Sequence, residues 1–211
     1  MPKGANVNIS RRDGSTALMR AIENGHARIA RILIQMPNII LEPLGNRQSP
    51  LNCAVRVGDT SLICFLLRYG ADVNRCDAHG HSALVVACYT GNISITRLLL
   101  VRGAEPNRPV ESHDGQTPLH IAVQRGHWFL AQLLLMFGAD ASVVNNDEVA
   151  VIHYAAWNGD EDLVRALVAC GANVFAADAF GSLPLMYVEG HNNHEVVEVL
   201  REAMARGGMA A

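Results

Sequence analysis

The chain has 211 residues and half of them are apolar, which is enough to form a core in one or two domains. Its apolar runs are too short to span a bilayer, and the N-terminus lacks the pattern of a signal peptide, so we expect neither a membrane span nor a secretory leader. The five cysteines form no CxxC pair, which indicates reduced thiols in a cytosolic or nuclear protein.

The net charge of −3 hides an asymmetry along the chain. Residues 1–105 carry 12 Lys and Arg against seven Asp and Glu, whereas residues 106–211 carry five against 13. Such a dipolar chain could steer a partner of complementary polarity, but undirected drift of surface charge gives the same numbers. Because the basic residues are dispersed among acidic ones, the sequence argues against a nucleic-acid groove.

The segment GANVN at residues 4–8, near the start of the chain, resembles segments that occur later at the end of apolar runs. Similar segments at residues 70–74, 103–107 and 138–140 each follow a run rich in leucine. A segment that recurs after the same kind of apolar run indicates the tail of a repeating unit.

Two independent markers recur about every 33 residues. The first marker is the aliphatic residue that opens each apolar run: Leu18, Leu51, Leu84, Leu119, Ile152 and Leu185. The second marker is a turn residue seven positions later: Gly25, Gly58, Gly91, Gly126, Gly159 and Asn192. The agreement of the two markers predicts six copies of one structural unit.

Each unit predicts two short helices joined by a turn. A hydroxyl residue stands where a helix N-cap is needed, at Thr16, Ser49, Ser82 and Thr117. Pro50 and Pro118 follow at the first helical position, where a missing N–H is tolerated. The turn residue ends the first helix in the left-handed conformation, which glycine and asparagine adopt most readily. Two short helices cannot bury both faces alone, so neighbouring units must stack.

The segment DGQTPLHIAVQRGH at 114–127, followed by LLLMFGAD at 133–140, resembles an ankyrin repeat. The resemblance covers residues 4–203 and implies an all-α repeat solenoid of stacked helix pairs with short β-hairpin fingers, in one domain over 1–211. The expected repeats are approximately 9–41, 42–74, 75–107, 108–142, 143–175 and 176–206. The exposed charge of Arg20 and the polar last helix favour an array capped at both ends, and a piece of a longer array is the alternative.

Three segments depart from the repeat pattern. The first unit ends in MPNIILEPLG, which predicts an irregular outgoing hairpin. A two-residue insertion within NRPVESHDG predicts a longer finger before the fourth unit. In the fifth unit Glu148 replaces the usual glycine and Ala150 replaces the capping hydroxyl, so we expect this unit to be the loosest internal one.

The histidines invite a metal hypothesis. His79, His81 and His113 lie on two expected fingers, and a His-x-His pair with one further ligand could bind zinc, but no fourth ligand is evident. Exposed polar finger tips are the favoured interpretation, so no metal is expected. His120 and His153 occupy positions where the resemblance implies that the ring bonds nearby hairpin and cap groups.

The sequence offers no catalytic constellation. Cys53 and Cys88 fall on the predicted buried side of first helices, where a thiol behaves as a small hydrophobe. No GxGxxG, Walker-type or HExxH motif occurs. We therefore expect no enzyme, no catalytic residues and no cofactor.

One asparagine has a possible modification. Asn74 follows Asp72 and Val73, with Leu66 eight residues earlier, which resembles the context of hydroxylated asparagines in ankyrin hairpins. The alternative is that Asn74 stabilises its own turn, and the two roles are compatible.

Ankyrin-like stacks usually bind partners with their fingers and the exposed ends of their first helices. The expected partner is another protein, bound by a monomeric adaptor, scaffold or stoichiometric inhibitor. An alternative is a substrate-recognition or targeting subunit of an enzyme complex such as a ubiquitin ligase. The expected contact residues combine the position two before each turn glycine with finger residues: Arg56, Tyr89, Gln124, Arg125, Trp157, Asn158, His79, His81, His113 and Asp114.

Overall fold

The computed structural model describes residues 6–42, 49–188 and 193–208. The chain divides into two compact units, Met1–Ala104 and Glu105–Ala211, each with its own helices and core. The single domain over 1–211 that the sequence suggests therefore stays a prediction.

The described part of the first unit consists of three helix pairs. Their bounds are α1 Ala17–Glu23, α2 Ala27–Ile34, α3 Pro50–Val57, α4 Thr60–Arg68, α5 Ala83–Thr90 and α6 Ile93–Val101. The first helices stack in order, since α3 contacts both α1 and α5, and α4 contacts α2 in the neighbouring layer. Leu18, Leu51 and Leu84 are buried between these layers.

The second unit continues the same architecture. Its helices are α7 Pro118–Gln124, α8 Trp128–Met136, α9 Val151–Asn158, α10 Glu161–Ala169 and α11 His194–Gly208, with short 3-10 helices at Glu111–His113 and Pro184–Tyr187. Helix α7 contacts α9, and α10 contacts α8, α9 and α11. The stacked helix pairs of both units confirm the predicted all-α repeat fold. No helix among the described residues has the length and apolarity needed to cross a bilayer.

The helix start and stop signals act as the sequence predicts. The side chains of Thr16, Ser49 and Ser82 accept the backbone N–H three residues later, at 3.3, 3.1 and 3.3 Å. Gly58 and Gly159 end their helices with φ of 83° and 72°, in the left-handed region. Asn192, the expected sixth turn residue, lies outside the described residues.

The fingers have less β pairing than the predicted β-hairpins. Within the described ranges they form turns with isolated antiparallel bridges, Ser10 with Thr16, Val110 with Gln116 and Val144 with Ala150, instead of continuous strands. A 3-10 helix at Glu111–His113 lies within the segment that carries the two-residue insertion, and the lengthening of this finger stays a prediction, because its bridge joins residues six apart as in the other two bridged fingers. The outgoing hairpin of the first repeat falls largely in residues 43–48, outside the described part.

The first helix of the sixth repeat differs from the prediction of about two helical turns. It is a 3-10 helix at Pro184–Tyr187 instead. Its N-cap position holds Leu183, which has no side-chain oxygen to accept the orphan N–H groups of a helix start. The helix lies at the predicted position, but it is a 3-10 helix and not the predicted α-helix.

Candidate protein-binding surface

Three of the described fingers are each held by one carboxylate or amide side chain. The Oδ1 atom of Asp77 accepts the backbone N–H groups of His79 and His81, each at 2.9 Å. Asn145 and Asp178 make the same pair of bonds in the fifth and sixth repeats. The sequence analysis did not predict this pair of bonds, although an Asp or Asn five residues before the N-cap position indicates it.

A buried histidine ties each of two first helices to the next finger. In α7, His120 Nδ1 accepts the N–H of Thr117 at 3.2 Å, and Nε2 lies 3.2 Å from the carbonyl oxygen of Val149. In α9, His153 Nδ1 accepts the N–H of Ala150 at 3.0 Å, and Nε2 lies 3.1 Å from the carbonyl oxygen of Ser182. Because a carbonyl only accepts, each Nε2 carries the proton. The role implied by the resemblance is confirmed.

Burial keeps the His120 ring neutral. The side chain has no exposed surface, and this desolvation lowers the pKa of His120 to about 4 from its ordinary value of 6.5. The ring therefore acts as a structural clamp near neutral pH.

In the second repeat, an asparagine takes the place of the clamp histidine. Asn52 is fully buried, and its Nδ2 donates to the carbonyl oxygen of His81 on the next finger at 2.8 Å. Sequence analysis did not find this role, because an asparagine inside a helix has no distinctive pattern.

In the second unit, backbone hydrogen bonds join consecutive finger tips. The N–H of Asn146 donates to the carbonyl oxygen of Asp114 at 2.7 Å, and the N–H of Ala179 donates to that of Asp147 at 3.0 Å. Three finger tips therefore lie side by side at fixed spacing. Asp114, whose carbonyl oxygen accepts the bond from Asn146, adopts a φ of 50°, in the left-handed region.

The expected contact residues of α7 and α9 come together at the C-terminal ends of these helices. Gln124 and Arg125 are exposed at the end of α7. Trp157 is 56% exposed near the end of α9. Asn158 follows it and donates from Nδ2 to the carbonyl oxygen of Val123 at 2.7 Å, so the two helix ends are tied. Asn158 is thus partly committed to structure, which the sequence did not show.

In the first unit, the expected contact residues lie on α3, α5 and the finger before α5. Arg56 is exposed at the end of α3. Tyr89 is half-buried, because its ring meets the ring of His81 edge to face at 5.6 Å between centroids. His79 is exposed, with its ring 5.9 Å from that of His81. Finger and first helix therefore form a single surface in this unit.

The described residues do not assemble the three histidines into a metal site. The Nδ1 atom of His113 lies 3.0 Å from the hydroxyl of Ser112. Across the described ranges, no group of three His, Cys, Asp or Glu side chains is arranged to hold a metal ion.

The buried thiols are not activated nucleophiles. Burial, with a contribution from Glu23, raises the pKa of Cys53 to about 12. Burial alone raises the pKa of Cys88. Both thiols therefore stay protonated near neutral pH, whereas a reactive cysteine needs a lowered pKa.

Asn74 has a structural role. Its Nδ2 donates to the carbonyl oxygen of Gly103 at 3.0 Å, and its backbone N–H donates to Asp72 at 2.9 Å. Asn107 makes the matching bond to Gly138 in the second unit at 2.9 Å. The asparagine thus stabilises the turn region, and its hydroxylation stays a prediction.

Comparison with known families identifies the repeat. The family description "Ankyrin repeats (3 copies)" matches residues 1–77 and 51–147, and "Ankyrin repeat" matches residues 150–179. The chain belongs to the ankyrin repeat family. Repeats of this family are generally protein–protein interaction modules and are typically not enzymes.

Curated relatives share the repeats over part of their length. The chain is 35% identical over 146 residues to the NF-kappa-B p105 subunit of Mus musculus, covering 67% of this chain and 15% of the relative. It is 30% identical over 205 residues to the B-cell lymphoma 3 protein homolog of Mus musculus, covering 93% and 46%. It is 30% identical over 138 residues to inversin of Homo sapiens, covering 64% and 13%. The chain spans less than half of each of these relatives.

Proposed function

We propose that the chain is a protein-binding module of the cytosol or nucleus, monomeric by itself and without chemistry of its own. It acts as an adaptor, scaffold or stoichiometric inhibitor. Trp157 carries this proposal, because its indole is 56% exposed next to Asn158, whose bond to Val123 fixes the helix end. Tryptophan is enriched at interface hot spots, and a pre-ordered position reduces the entropy lost on binding.

The surroundings of Trp157 suit a protein partner. Gln124 and Arg125 offer polar contacts at the neighbouring helix end, and Phe180 on the sixth finger is 91% exposed. Large apolar side chains with polar groups around them are typical of protein interfaces. The exposed finger carboxylates of Asp114 and Asp147 disfavour nucleic acid, because they repel phosphates.

The first unit offers a smaller patch of the same kind. Arg56 and His79 are exposed, while Tyr89 and His81 are half-buried against each other. We assign these residues to partner contacts, with Arg56 as the main contributor, since Tyr89 has less surface left to bury on binding.

A truncation series tests the proposal. Trp157→Ala should weaken partner binding by at least about 1 kcal/mol, roughly fivefold, and Arg56→Ala should weaken it less. Met136→Ala is the matched control, because Met136 is 79% exposed on the second helix α8. Proximity labelling in the source cell compares the proteins recovered by the wild type and each variant, and the recovered partner is then titrated in vitro.

Circular dichroism should show equal helicity for all variants, because the replaced side chains are exposed. A Trp157→Ala variant that keeps full affinity for the partner would reject this surface. Labelling dominated by ligase components in every variant would instead favour a substrate-recognition subunit.

A further inference from the structure

One side of helix α9 faces the fingers of the fourth, fifth and sixth repeats. The Tyr154 hydroxyl on α9 accepts hydrogen bonds from Nε2 of Gln116 at 3.3 Å and from Nδ2 of Asn145 at 3.4 Å, which belong to the fourth and fifth fingers. His153, the preceding residue of α9, has its Nε2 atom 3.1 Å from the carbonyl oxygen of Ser182 on the sixth finger. Two neighbouring residues of α9 therefore contact all three fingers.

Two exposed aromatic side chains belong to these elements. Trp157, which is 56% exposed, lies three and four residues after Tyr154 and His153, so it is one helical turn further along the same side of α9. Phe180 is 91% exposed and lies two residues before Ser182 on the sixth finger. Aromatic rings of this size provide apolar surface that a partner can bury.

The finger tips beside these aromatic side chains are acidic. Asp114 and Asp147 are exposed, and in the described part of the chain neither carboxylate forms an ion pair. Burial raises the pKa of Tyr154, and the negative charges of Asp147 and Asp114 add to this effect, so their field reaches α9. We call these five side chains the finger–α9 surface: Asp114, Asp147, Tyr154, Trp157 and Phe180.

The charge of the second unit has the same sign as the finger tips. Residues 105–211 carry 14 Asp and Glu against five Arg. Arg125 follows the C-terminal end of α7, about 10 Å along the helix from the end that adjoins the finger, so its positive charge lies away from the finger tips. A negative surface attracts a positively charged partner and speeds its association.

We propose that the finger–α9 surface binds an extended basic segment of the partner protein. Asp114 and Asp147 contact Lys or Arg side chains of this segment, and Trp157 contacts an apolar or guanidinium group between them. This inference rests on the proposed function, because it names the chemistry of the partner at the same site. Arginine fits best, since its guanidinium pairs with a carboxylate through two parallel bonds and also stacks on an indole.

The spacing of the fingers favours an extended segment over a helix. Stacked layers lie about 10 Å apart, and the backbone bonds from Asn146 to Asp114 and from Ala179 to Asp147 keep consecutive tips side by side. In a polyproline II segment, residues three apart lie on the same side at about 9 Å. Basic residues at every third position therefore match the spacing of the two carboxylates.

A peptide titration with the full chain tests the proposed chemistry. The probe is a fluorescein-labelled synthetic peptide with arginine at every third position and leucine among the residues between. Its twin has glutamate in place of each arginine. Fluorescence anisotropy should show saturable binding of the arginine peptide that weakens as the salt concentration rises, because salt screens exposed charges. The glutamate peptide should not bind.

Two double variants separate the finger carboxylates from the general charge of the chain. Asp114→Asn with Asp147→Asn should weaken binding of the arginine peptide at least about tenfold, because it removes both finger charges. Asparagine keeps the shape of aspartate and tolerates the left-handed backbone at position 114. The matched control is Asp162→Asn with Glu198→Gln, which removes two exposed carboxylates of the second helices α10 and α11. Its affinity should stay within about twofold of the wild type, since distant surface charges are screened.

Titration of the natural partner separates this inference from the proposed function. The partner recovered by proximity labelling is titrated against Trp157→Ala and against the double asparagine variant, after circular dichroism has shown that both are folded. Weaker binding in both variants supports the basic segment. Weaker binding in Trp157→Ala with full affinity in the double asparagine variant rejects the basic segment but leaves the protein-binding surface in place. Full affinity in Trp157→Ala rejects the surface itself.

Four results of the experiments on the isolated chain would overturn the inference. The first is no saturable binding of the arginine peptide by the wild type, or equal binding by the double asparagine variant. The second is an equal loss in the control variant, which would mean that net charge alone attracts the peptide. The third is Ca²⁺ binding in calorimetry, lost in the double asparagine variant, without peptide binding, which would assign the carboxylates to a cation. The fourth is a wild-type dimer in sedimentation equilibrium that the double asparagine variant dissociates, which would assign the surface to a second copy.

Discussion

The fourth and fifth repeats begin their first helices with partly different residues. Both start the first helix with a buried histidine that accepts the N-cap N–H and reaches the next finger. The fourth repeat also has the hydroxyl of Thr117, 3.0 Å from His120 Nδ1, whereas the fifth has Ala150. The comparison shows that a clamp histidine can maintain a helix start after the capping hydroxyl is lost.

The two fingers differ at the left-handed turn position as well. In the fourth finger Gly115 has a φ of 69°, and in the fifth Glu148 has a φ of 59°. Glycine adopts such angles freely, but a side chain with a Cβ pays a steric penalty. The fifth repeat therefore has two local costs, the missing capping hydroxyl and the left-handed Glu148, whereas the fourth has one left-handed non-glycine residue, Asp114, with a φ of 50°.

Removing a clamp should have the largest effect. His120→Ala leaves the Val149 carbonyl and the Thr117 N–H without their partner and opens a cavity, so we expect a loss of about 3 kcal/mol in unfolding free energy. His120→Asn should lose less, because Asn52 makes the equivalent finger bond in the second repeat. Urea unfolding followed by circular dichroism measures both. Equal losses in the two variants would show that the finger bond does not matter.

Acid should weaken the same clamp. The pKa of His120 is about 4 when folded and about 6.5 when unfolded, so the unfolded chain binds a proton that the folded chain rejects. The clamp's contribution is therefore complete above pH 6.5 and is lost as the pH falls towards 4, by about 3 kcal/mol in all. Urea midpoints of wild type and His120→Asn over this range should converge at low pH. Parallel curves would contradict the assignment.

Relieving the strained finger should stabilise the fifth repeat. Glu148→Gly removes the Cβ at a positive φ, and we expect a gain of about 1 kcal/mol. The mirror variant Gly115→Ala should destabilise the fourth finger, because the new Cβ is strained and collides with the Asn146 side chain. Differential scanning calorimetry would show opposite shifts of the melting temperature. A lower melting temperature for Glu148→Gly would mean that the Glu148 carboxylate stabilises the finger by more than the positive φ destabilises it.

Restoring the missing cap should have the smallest effect. Ala150→Ser places a hydroxyl where Ser49 and Ser82 cap their helices, and it should add about 0.5–1 kcal/mol. Amide exchange in α9 should slow, and in the wild type it should be faster in α9 than in α7. Exchange no faster in α9 than in α7 of the wild type would contradict the expectation that the fifth repeat is the loosest internal one.

Much of the fold could be read from local patterns. The capping residues Thr16, Ser49 and Ser82 and the turn glycines follow from backbone demands within a few residues, which any chain must meet in the same way. The sixth repeat shows the limit. Leu185 keeps the repeat period, but the helix around it is a short 3-10 helix. The period could not predict this difference, because it does not report which capping residues are present.

The candidate surface was less predictable. The period locates Trp157 and Tyr89 at equivalent positions, yet Trp157 is exposed and Tyr89 is half-buried against His81. The role of Asn158 depends on a carbonyl 35 residues away. Such contacts join residues of different repeats, so no local pattern predicts them.

The sequence by itself determined the repeat, its two helices and the positions of its turns, because these depend on periodic burial and on local backbone conformation. Only the tertiary structure decided which equivalent residues differ in environment. Ile29 and Leu62 are both aliphatic at the same repeat position, but a neighbouring helix covers only Leu62. Burial is a property of the layer next to a residue, and that layer is fixed only when the repeats stack.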